Sequence, residues 1–199
     1  TKDSKEALIH LENMIHTTKG ENQIALLEIL RLQPWPDVSG KLMELFEQTQ
    51  NHRVKRQVID VFEAWQAPSS IEPLIEKLCN RQFRDRVTDA LVAHGEPALD
   101  ILESRLYRET NRPVRVRIPH AIGRFEHQRA ADILARHVGN ENDGMVRYRI
   151  VRELERLKHD CDQLYIPQTP VQAAVEEQID ICYLYVNWEL SLAKRPEPL

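Results

Sequence analysis

The sequence predicts an all-α fold, an α-solenoid of about five helical hairpins followed by a long C-terminal helix. The main observation is an eight-residue pattern that recurs in residues 51–58, 80–87, 111–118 and 143–150. Its copies start 29, 31 and 32 residues apart, a spacing typical of repeats that form one hairpin each and bury their apolar faces on their neighbours. Composition agrees, because the 199 residues include only 6 glycines and 42% hydrophobic residues.

Each copy of the pattern has the features of a helix that begins just after its first residue. That residue is Asn51, Asn80, Asn111 or Asp143, and its side-chain oxygen can accept hydrogen bonds from the free N–H groups of the first turn. Apolar residues follow at helical spacing and therefore share one face. They include Val54, Phe83, Val114 and Val146, and then Val58, Val87, Ile118 and Ile150. Glu153 is the one charged residue on this face, and we expect it at the edge.

The N-terminal residues predict a hairpin without the repeated pattern, as a capping unit often shows. Its helices span residues 4–17 and 22–32, separated by Gly20, and Pro34 and Pro36 end the second one. Residues 1–33 are therefore interpreted as an N-terminal capping hairpin.

Four repeats follow within residues 34–158. Their helix pairs are predicted at 37–49 with 52–66, 69–79 with 81–94, 97–109 with 112–126, and 127–139 with 144–158. Pro119 falls inside a second helix and is expected to kink it, since proline lacks an N–H and its ring clashes with the preceding turn.

Residues 159–199 are predicted to complete a single domain that covers residues 1–199. A polar connection over 159–168 leads to a helix over about 170–193, which we expect to cap the last hairpin, and to a frayed tail.

Charge and cysteine content restrict the class of protein. The chain carries a net charge of −4, and no stretch approaches the ~18 apolar residues of a membrane span. Three widely spaced cysteines indicate free thiols in a reducing compartment, so we expect a cytoplasmic location. No signal peptide is visible, and the first residue is not methionine, which suggests one part of a larger protein.

The sequence offers no convincing set of catalytic or metal-binding residues. The eight histidines are scattered, and no phosphate-binding glycine loop or zinc-finger spacing occurs. His94 lies at a core position near a helix end, where a structural role is expected. Residues 159–162 are four potential metal ligands in a row (His-Asp-Cys-Asp), and adjacent residues rarely converge on one metal ion. We therefore expect no enzyme activity, no metal and no cofactor.

The later repeats carry arginines at positions that face away from the predicted core. Residues 81–158 hold four more basic than acidic residues, and a local arginine cluster can bind carboxylates or phosphates. These side chains are expected to line the concave surface of the last two repeats, as a candidate partner-binding site. The candidates are Arg117, His120, Arg124, Tyr148, Arg149, Arg152 and Arg156. In the alternative interpretation, the arginines pair with acidic residues of adjacent repeats and hold the stack in register.

Residues 37–158 resemble the HEAT-repeat superfamily of armadillo-like α-solenoids. The resemblance is carried by second helices that begin Asn/Asp-x-x-Val-Arg and by the apolar first helix before each. The segments 114–119, 131–134 and 146–154 are also similar to the cytosolic HEAT segments of large bacterial membrane proteins, in which a transporter-like domain is fused to the repeats. The resemblance implies a scaffold for protein–protein contacts.

The function expected from these features is a non-enzymatic interaction module that binds an acidic protein segment. One alternative is a regulatory domain that contacts a transporter-like domain of the same chain. A DNA-binding enzyme similar to the HEAT-like glycosylases is disfavoured by the net charge, because tracking phosphates requires a continuous basic surface. Direct membrane insertion is also disfavoured, since the C-terminal helix is acidic and lacks a basic face.

Overall fold

The computed structural model describes residues 2–193, and this part of the chain is all-α, without a strand. The predicted tail lies outside the described residues. The chain divides into two compact units, Thr1–Phe125 and Glu126–Leu199.

The first unit contains nine α-helices among its described residues, and two short 3-10 turns, Pro36–Val38 and Pro68–Ser70, lead into α3 and α5. The helices are α1 (Lys2–Thr17), α2 (Glu21–Leu32), α3 (Ser39–Gln48), α4 (His52–Trp65), α5 (Ile71–Lys77), α6 (Arg84–Ala93), α7 (Glu96–Arg108), α8 (Arg112–Arg115) and α9 (Ile118–Gly123). The second unit contains α10 (Gln128–Val138), α11 (Gly144–Asp160) and α12 (Gln168–Ala193).

The core of the first unit forms where the second helices of successive hairpins pack on one another. Helix α4 lies between α2 and α6, and it also packs on α3, its partner in the same hairpin. Val58, Phe62 and Leu91, all on the predicted apolar faces, are completely buried. Burying one such side chain contributes about 1.5–3 kcal/mol, so each hairpin is stabilised mainly by its neighbours. The indole N–H of Trp65 also donates to the Leu30 carbonyl oxygen at 2.6 Å, tying α4 to α2.

Helix capping by the first residue of the pattern is confirmed at two of the four copies. The side chain of Asn51 accepts from the backbone N–H of Arg53 at 2.9 Å, and that of Asp143 accepts from Met145 at 2.9 Å. Asn80 accepts from the N–H of Gln82 at 3.0 Å, but this bond lies in a turn, because α6 begins only at Arg84 and its N-cap residue is Phe83. The prediction of a side-chain cap at Asn111 is wrong, because the Asn111 side chain makes no cap hydrogen bond. The residue two positions later is Pro113, which has no N–H to donate.

Pro119 has a larger effect than the predicted kink. The helix stops after Arg115 and restarts at Ile118, which separates α8 from α9. A proline ring clashes with the carbonyl group four residues earlier. For Pro119 that residue is Arg115, where α8 ends.

In three of the four copies, an arginine four positions after the first residue of the pattern joins the two helices of its hairpin. The Nε atoms of Arg84, Arg115 and Arg147 donate to backbone carbonyls of the preceding helix end or loop. The acceptors are Leu78 at 3.1 Å, Leu106 at 3.0 Å and Glu141 at 2.9 Å. Carbonyls at a helix end lack partners within the helix, so these guanidinium groups satisfy them and fix the hairpin angle. In the first copy, Lys55 instead places its ammonium group 4.9 Å from the centre of the Phe46 ring.

In the second unit, α10 packs on α11, and α12 packs on both. The connection before α12 is held by two hydrogen bonds between the Gln128 side chain and the Tyr165 backbone, at 2.8 and 2.9 Å. Ala174 of α12 is buried, whereas the described side chains after it are exposed. Helix α12 therefore covers the last hairpin, as predicted for a cap, only near its N-terminal end.

The two asparagine positions give a matched test of capping. We expect Asn51→Ala to lower the free energy of unfolding by about 1 kcal/mol, because it removes a cap hydrogen bond. Asn111→Ala, in the same unit, is expected to cost less than half as much. Urea denaturation followed by circular dichroism measures both, and equal losses would contradict the capping assignment.

Candidate functional site

The predicted binding residues divide between the two units. Arg117, His120 and Arg124 lie on or next to α9 in the first unit. Tyr148, Arg149, Arg152 and Arg156 lie on α11 in the second.

In the first unit, Arg124 takes part in an ion pair between neighbouring helices. Its Nη2 atom lies 2.8 Å from Oδ1 of Asp89 on α6. Arg86 of α6 makes the same kind of contact one helix earlier, with Asp60 on α4. These pairs follow the alternative interpretation, in which arginines hold successive repeats in register. Arg117 and His120 are half-buried on either side of the α9 N-terminus.

A related cluster holds α5 and α7 together. The guanidinium group of Arg105 lies within ion-pair distance of Glu72, Glu76 and Glu109. Partial burial lowers the pKa of Arg105, but the hydrogen bond that Arg105 donates to Glu76 and the three negative charges outweigh it and raise the pKa above its ordinary value. This arginine therefore joins the first helices of two neighbouring hairpins.

In the second unit, Arg156 is similarly surrounded by carboxylates. Its guanidinium nitrogens lie 3.1 Å from Glu153, 3.1 Å from Glu126 and 3.2 Å from Asp160. Burial lowers the pKa of Arg156, and the hydrogen bonds that it donates, led by those to Glu153 and Glu126, raise its pKa by more. Glu153 itself is buried, so its predicted place at the edge of the apolar face is wrong. The ion pair with Arg156 explains how a carboxylate is accommodated there.

Arg149 and Arg152 differ from the other arginines of the candidate site. Within residues 2–193, the structure gives neither side chain a carboxylate partner within ion-pair distance. The Nε atom of Arg149 is buried and has no hydrogen-bond acceptor among the described residues. Arg152 is exposed. Together with Met145 and Arg156, they occupy positions spaced by four, three and four residues, so they share one face of α11. We call these four residues the arginine stripe.

Tyr148 lies at one side of the arginine stripe, three residues after Met145 and four residues before Arg152. It is 54% exposed and, with Val151, lines a groove of about 350 Å³ between α11 and α12. Val175 and Ile179 form the opposite wall. Arg147 lies at the same groove, where its Nη1 atom is 2.8 Å from Glu177 of α12. Tyr148 therefore lines this groove at the edge of the arginine stripe.

Sequence reasoning missed the exposure of α12. Its apolar residues were interpreted as the covered surface of a capping helix, yet Ile179, Leu184 and Trp188 are at least 60% exposed. A signal was present, since apolar side chains occur around much of the helix circumference. An ordinary capping helix has one apolar face.

His94 is held by hydrogen bonds inside the fold, and the three cysteines are not disulfide-bonded. His94 is buried, with Nε2 at 2.8 Å from the Ser70 hydroxyl and Nδ1 at 2.6 Å from the Ala90 carbonyl oxygen, as expected for a structural histidine. The cysteines are free thiols; Cys79 and Cys182 are exposed and Cys161 is buried.

The described part of the chain offers neither a cluster of metal ligands nor a membrane-spanning helix. Residues 2–193 contain no group of three or more His, Cys, Asp or Glu side chains placed to share a metal ion. Over the same range, no helix combines the length and hydropathy needed to cross a membrane.

Comparison with known proteins identifies the repeats. Residues 71–155 match the family model of HEAT repeats. This range begins with α5 and ends within α11, so it includes the last three copies of the eight-residue pattern. No curated protein matches the sequence.

The end of α11 provides a pH-dependent test. Nδ1 of His159 lies 2.9 Å from Oδ1 of Asp160. This hydrogen bond, followed by the charges of Asp160 and Asp162, raises the pKa of His159 above its ordinary value of 6.5. The hydrogen bond from His159, together with Arg156, lowers the pKa of Asp160. The raised histidine pKa stabilises the folded state below pH 6.5, and the contribution disappears as the pH rises through the folded-state value.

We expect proton NMR titration of His159 to give a midpoint above 6.5 in the wild-type protein. Asp160→Asn should return the midpoint towards 6.5, because it removes the main acceptor and its charge. Asp162→Asn, which removes only a charge, should lower the midpoint less. A wild-type midpoint at or below 6.5 would show that the ion pair does not form in solution.

Proposed function

We propose that the repeats of this chain, which match the HEAT family model over residues 71–155, form a non-enzymatic interaction module that binds an acidic segment of a protein partner. The proposed contact surface is the arginine stripe of α11. HEAT repeats generally mediate protein–protein contacts, which agrees with such a role. We further propose that the module is cytoplasmic and belongs to a larger protein. The three free cysteines support the cytoplasmic location, since free thiols are typical of reducing compartments.

The observation that carries the proposal is the difference between the partnered and unpartnered arginines. Arg86, Arg105, Arg124 and Arg156 all have carboxylate partners within their own unit. In the part of the chain that the structure describes, Arg149 and Arg152 have none. Arginines that serve only to hold the helices in register would be expected to show the same pairing.

The chemistry of a guanidinium group supports an acidic ligand. Arg152 is exposed and Arg149 is half-buried, so both guanidinium groups reach the surface, although Nε of Arg149 itself is buried. A carboxylate can accept two parallel hydrogen bonds from one guanidinium group. Arg149 and Arg152 lie three residues apart on one helix face, so two carboxylates of an extended or helical segment could be bound side by side.

The proposal extends to the apolar end of the stripe. Met145 is 45% exposed and lies one helical turn before Arg149. Methionine adapts its shape to different apolar surfaces. The expected ligand therefore combines acidic residues with a neighbouring apolar side chain.

The test uses a short fluorescein-labelled peptide that contains glutamates and one leucine, with a glutamine-substituted peptide as reference. We expect the glutamate peptide to bind and Arg149→Glu/Arg152→Glu to weaken binding at least ~tenfold, or about 1.4 kcal/mol. Fluorescence anisotropy measures both. The effect arises because the substitution replaces attraction by repulsion at two contacts.

The matched control is Arg56→Glu/Arg81→Glu, which makes the same change of net charge at two exposed arginines of the first unit. This variant should bind the glutamate peptide nearly as well as the wild type. If both variants lost the same affinity for the glutamate peptide, the effect would arise from net charge alone, and the proposed local site would be wrong. Loss of helical circular dichroism in Arg149→Glu/Arg152→Glu would assign the two arginines to the fold.

A further inference from the structure

Helix α12 exposes a run of apolar and aromatic side chains that the proposed function does not use. From Ile179 to Trp188, the large apolar residues are between 40% and 71% exposed. They are Ile179, Ile181, Tyr183, Leu184, Tyr185, Val186 and Trp188. Single exposed apolar residues are ordinary, but a contiguous patch of this kind marks an interaction site.

These side chains are arranged around the helix in two apolar stripes. Ile181, Leu184, Tyr185 and Trp188 have the spacing i, i+3, i+4, i+7, which is the pattern of a helix that inserts into an apolar groove. We call these four residues the anchor stripe. The second stripe begins with Val175 and Ile179, which line the groove next to α11. A helix with apolar residues on most of its circumference is normally surrounded by protein.

The charges of α12 define the chemistry of the surface that would cover it. Residues 168–193 include four acidic residues and no lysine, arginine or histidine. Glu177 is paired with Arg147, and Glu176 accepts a hydrogen bond from Gln172. Asp180 and Glu189 have no partner among residues 2–193. They immediately precede and follow the anchor stripe, and at 100° per residue they lie on its opposite flanks.

Two other occupants fit these charges less well. A symmetric contact between α12 and the α12 of a second copy would bring together two helices that each carry four acidic residues and no basic one, and like charges at close range are unfavourable. Helices that bind membrane surfaces combine an apolar face with lysine and arginine, which anionic lipids attract. Helix α12 has the opposite charge.

We propose that α12 is a helical ligand for a second protein partner, distinct from the acidic segment assigned to the arginine stripe. The anchor stripe inserts into an apolar groove, and lysine or arginine residues on the two rims of that groove pair with Asp180 and Glu189. The contact with Arg147 and the burial of Ala174 hold the start of the helix on the second unit. The anchor stripe is thereby presented on a helix whose base is fixed.

The experiment uses a synthetic amphipathic peptide with leucine at heptad a and d positions and lysine elsewhere. The same peptide with glutamate in place of lysine serves as the reference. Binding is followed by tryptophan emission, because Trp188 is 60% exposed and should shift to shorter wavelength when covered. Trp188→Phe supplies the background from Trp35 and Trp65. We expect the lysine peptide to bind at least ~tenfold more tightly than the glutamate peptide.

Two double variants, followed with a fluorescein label on the peptide, separate insertion from simple charge attraction. Ile181→Asp/Leu184→Asp should weaken binding of the lysine peptide at least ~tenfold, because it removes two anchors. Tyr183→Asp/Asn187→Asp adds the same charge at exposed positions outside the anchor stripe and should bind at least as well as the wild type. If binding were electrostatic only, both variants would bind more tightly than the wild type, and the proposal would be wrong.

Further measurements on the same protein test the two other occupants of α12, a second copy of the chain and a membrane surface, and its independence from the arginine stripe. Sedimentation equilibrium that gives a dimer in the wild type and a monomer in Ile181→Asp/Leu184→Asp would identify a second copy as the occupant. A shift of Trp188 emission with phosphatidylcholine vesicles would identify a membrane surface. Either result, or failure to bind the lysine peptide, overturns the proposal. Arg149→Glu/Arg152→Glu should leave binding of the lysine peptide intact, so the two proposed sites can fail independently.

Discussion

The burial of each second helix against the hairpins beside it is the interaction on which the fold depends. Val58 and Phe62 of α4 are completely buried between α2, α3 and α6, and a single hairpin would leave much of that surface in water. Stability is therefore distributed along the repeats as a series of interfaces between neighbours. The bonds from Arg84, Arg115 and Arg147 to backbone carbonyls join the two helices within three of the hairpins.

Arginine has two separate roles in this architecture. Where a carboxylate of an adjacent helix is within reach, as at Arg124 and Asp89, the guanidinium group joins neighbouring repeats. Where no carboxylate is within reach, as for Arg152 among the described residues, an exposed guanidinium group is left available on the surface. One residue type at similar places in the repeat can thus support either the fold or recognition. The nearest acidic side chain decides which.

Helix α12 combines features that are seldom found on an uncovered helix. It is apolar over most of its circumference, acidic where it is charged, and packed only near its start. An exposed surface of this kind is unfavourable in water, so its retention is best explained by contact with another molecule. Because the arginine stripe and α12 differ in charge, they are suited to different partners.

The sequence by itself determined the helices, their pairing and the buried face of each second helix, because period, caps and apolar spacing are local properties. It also predicted the disruptive effect of Pro119. The missing cap bond at Asn111 could have been found as well, since Pro113 is visible in the sequence. Tertiary structure alone decided which arginines have partners, why Tyr148 faces the groove, and how Glu153 is buried beside Arg156. These outcomes depend on distances between helices, which a linear pattern does not contain. The same reason applies to α12, whose apolar residues are visible in the sequence although their exposure is not.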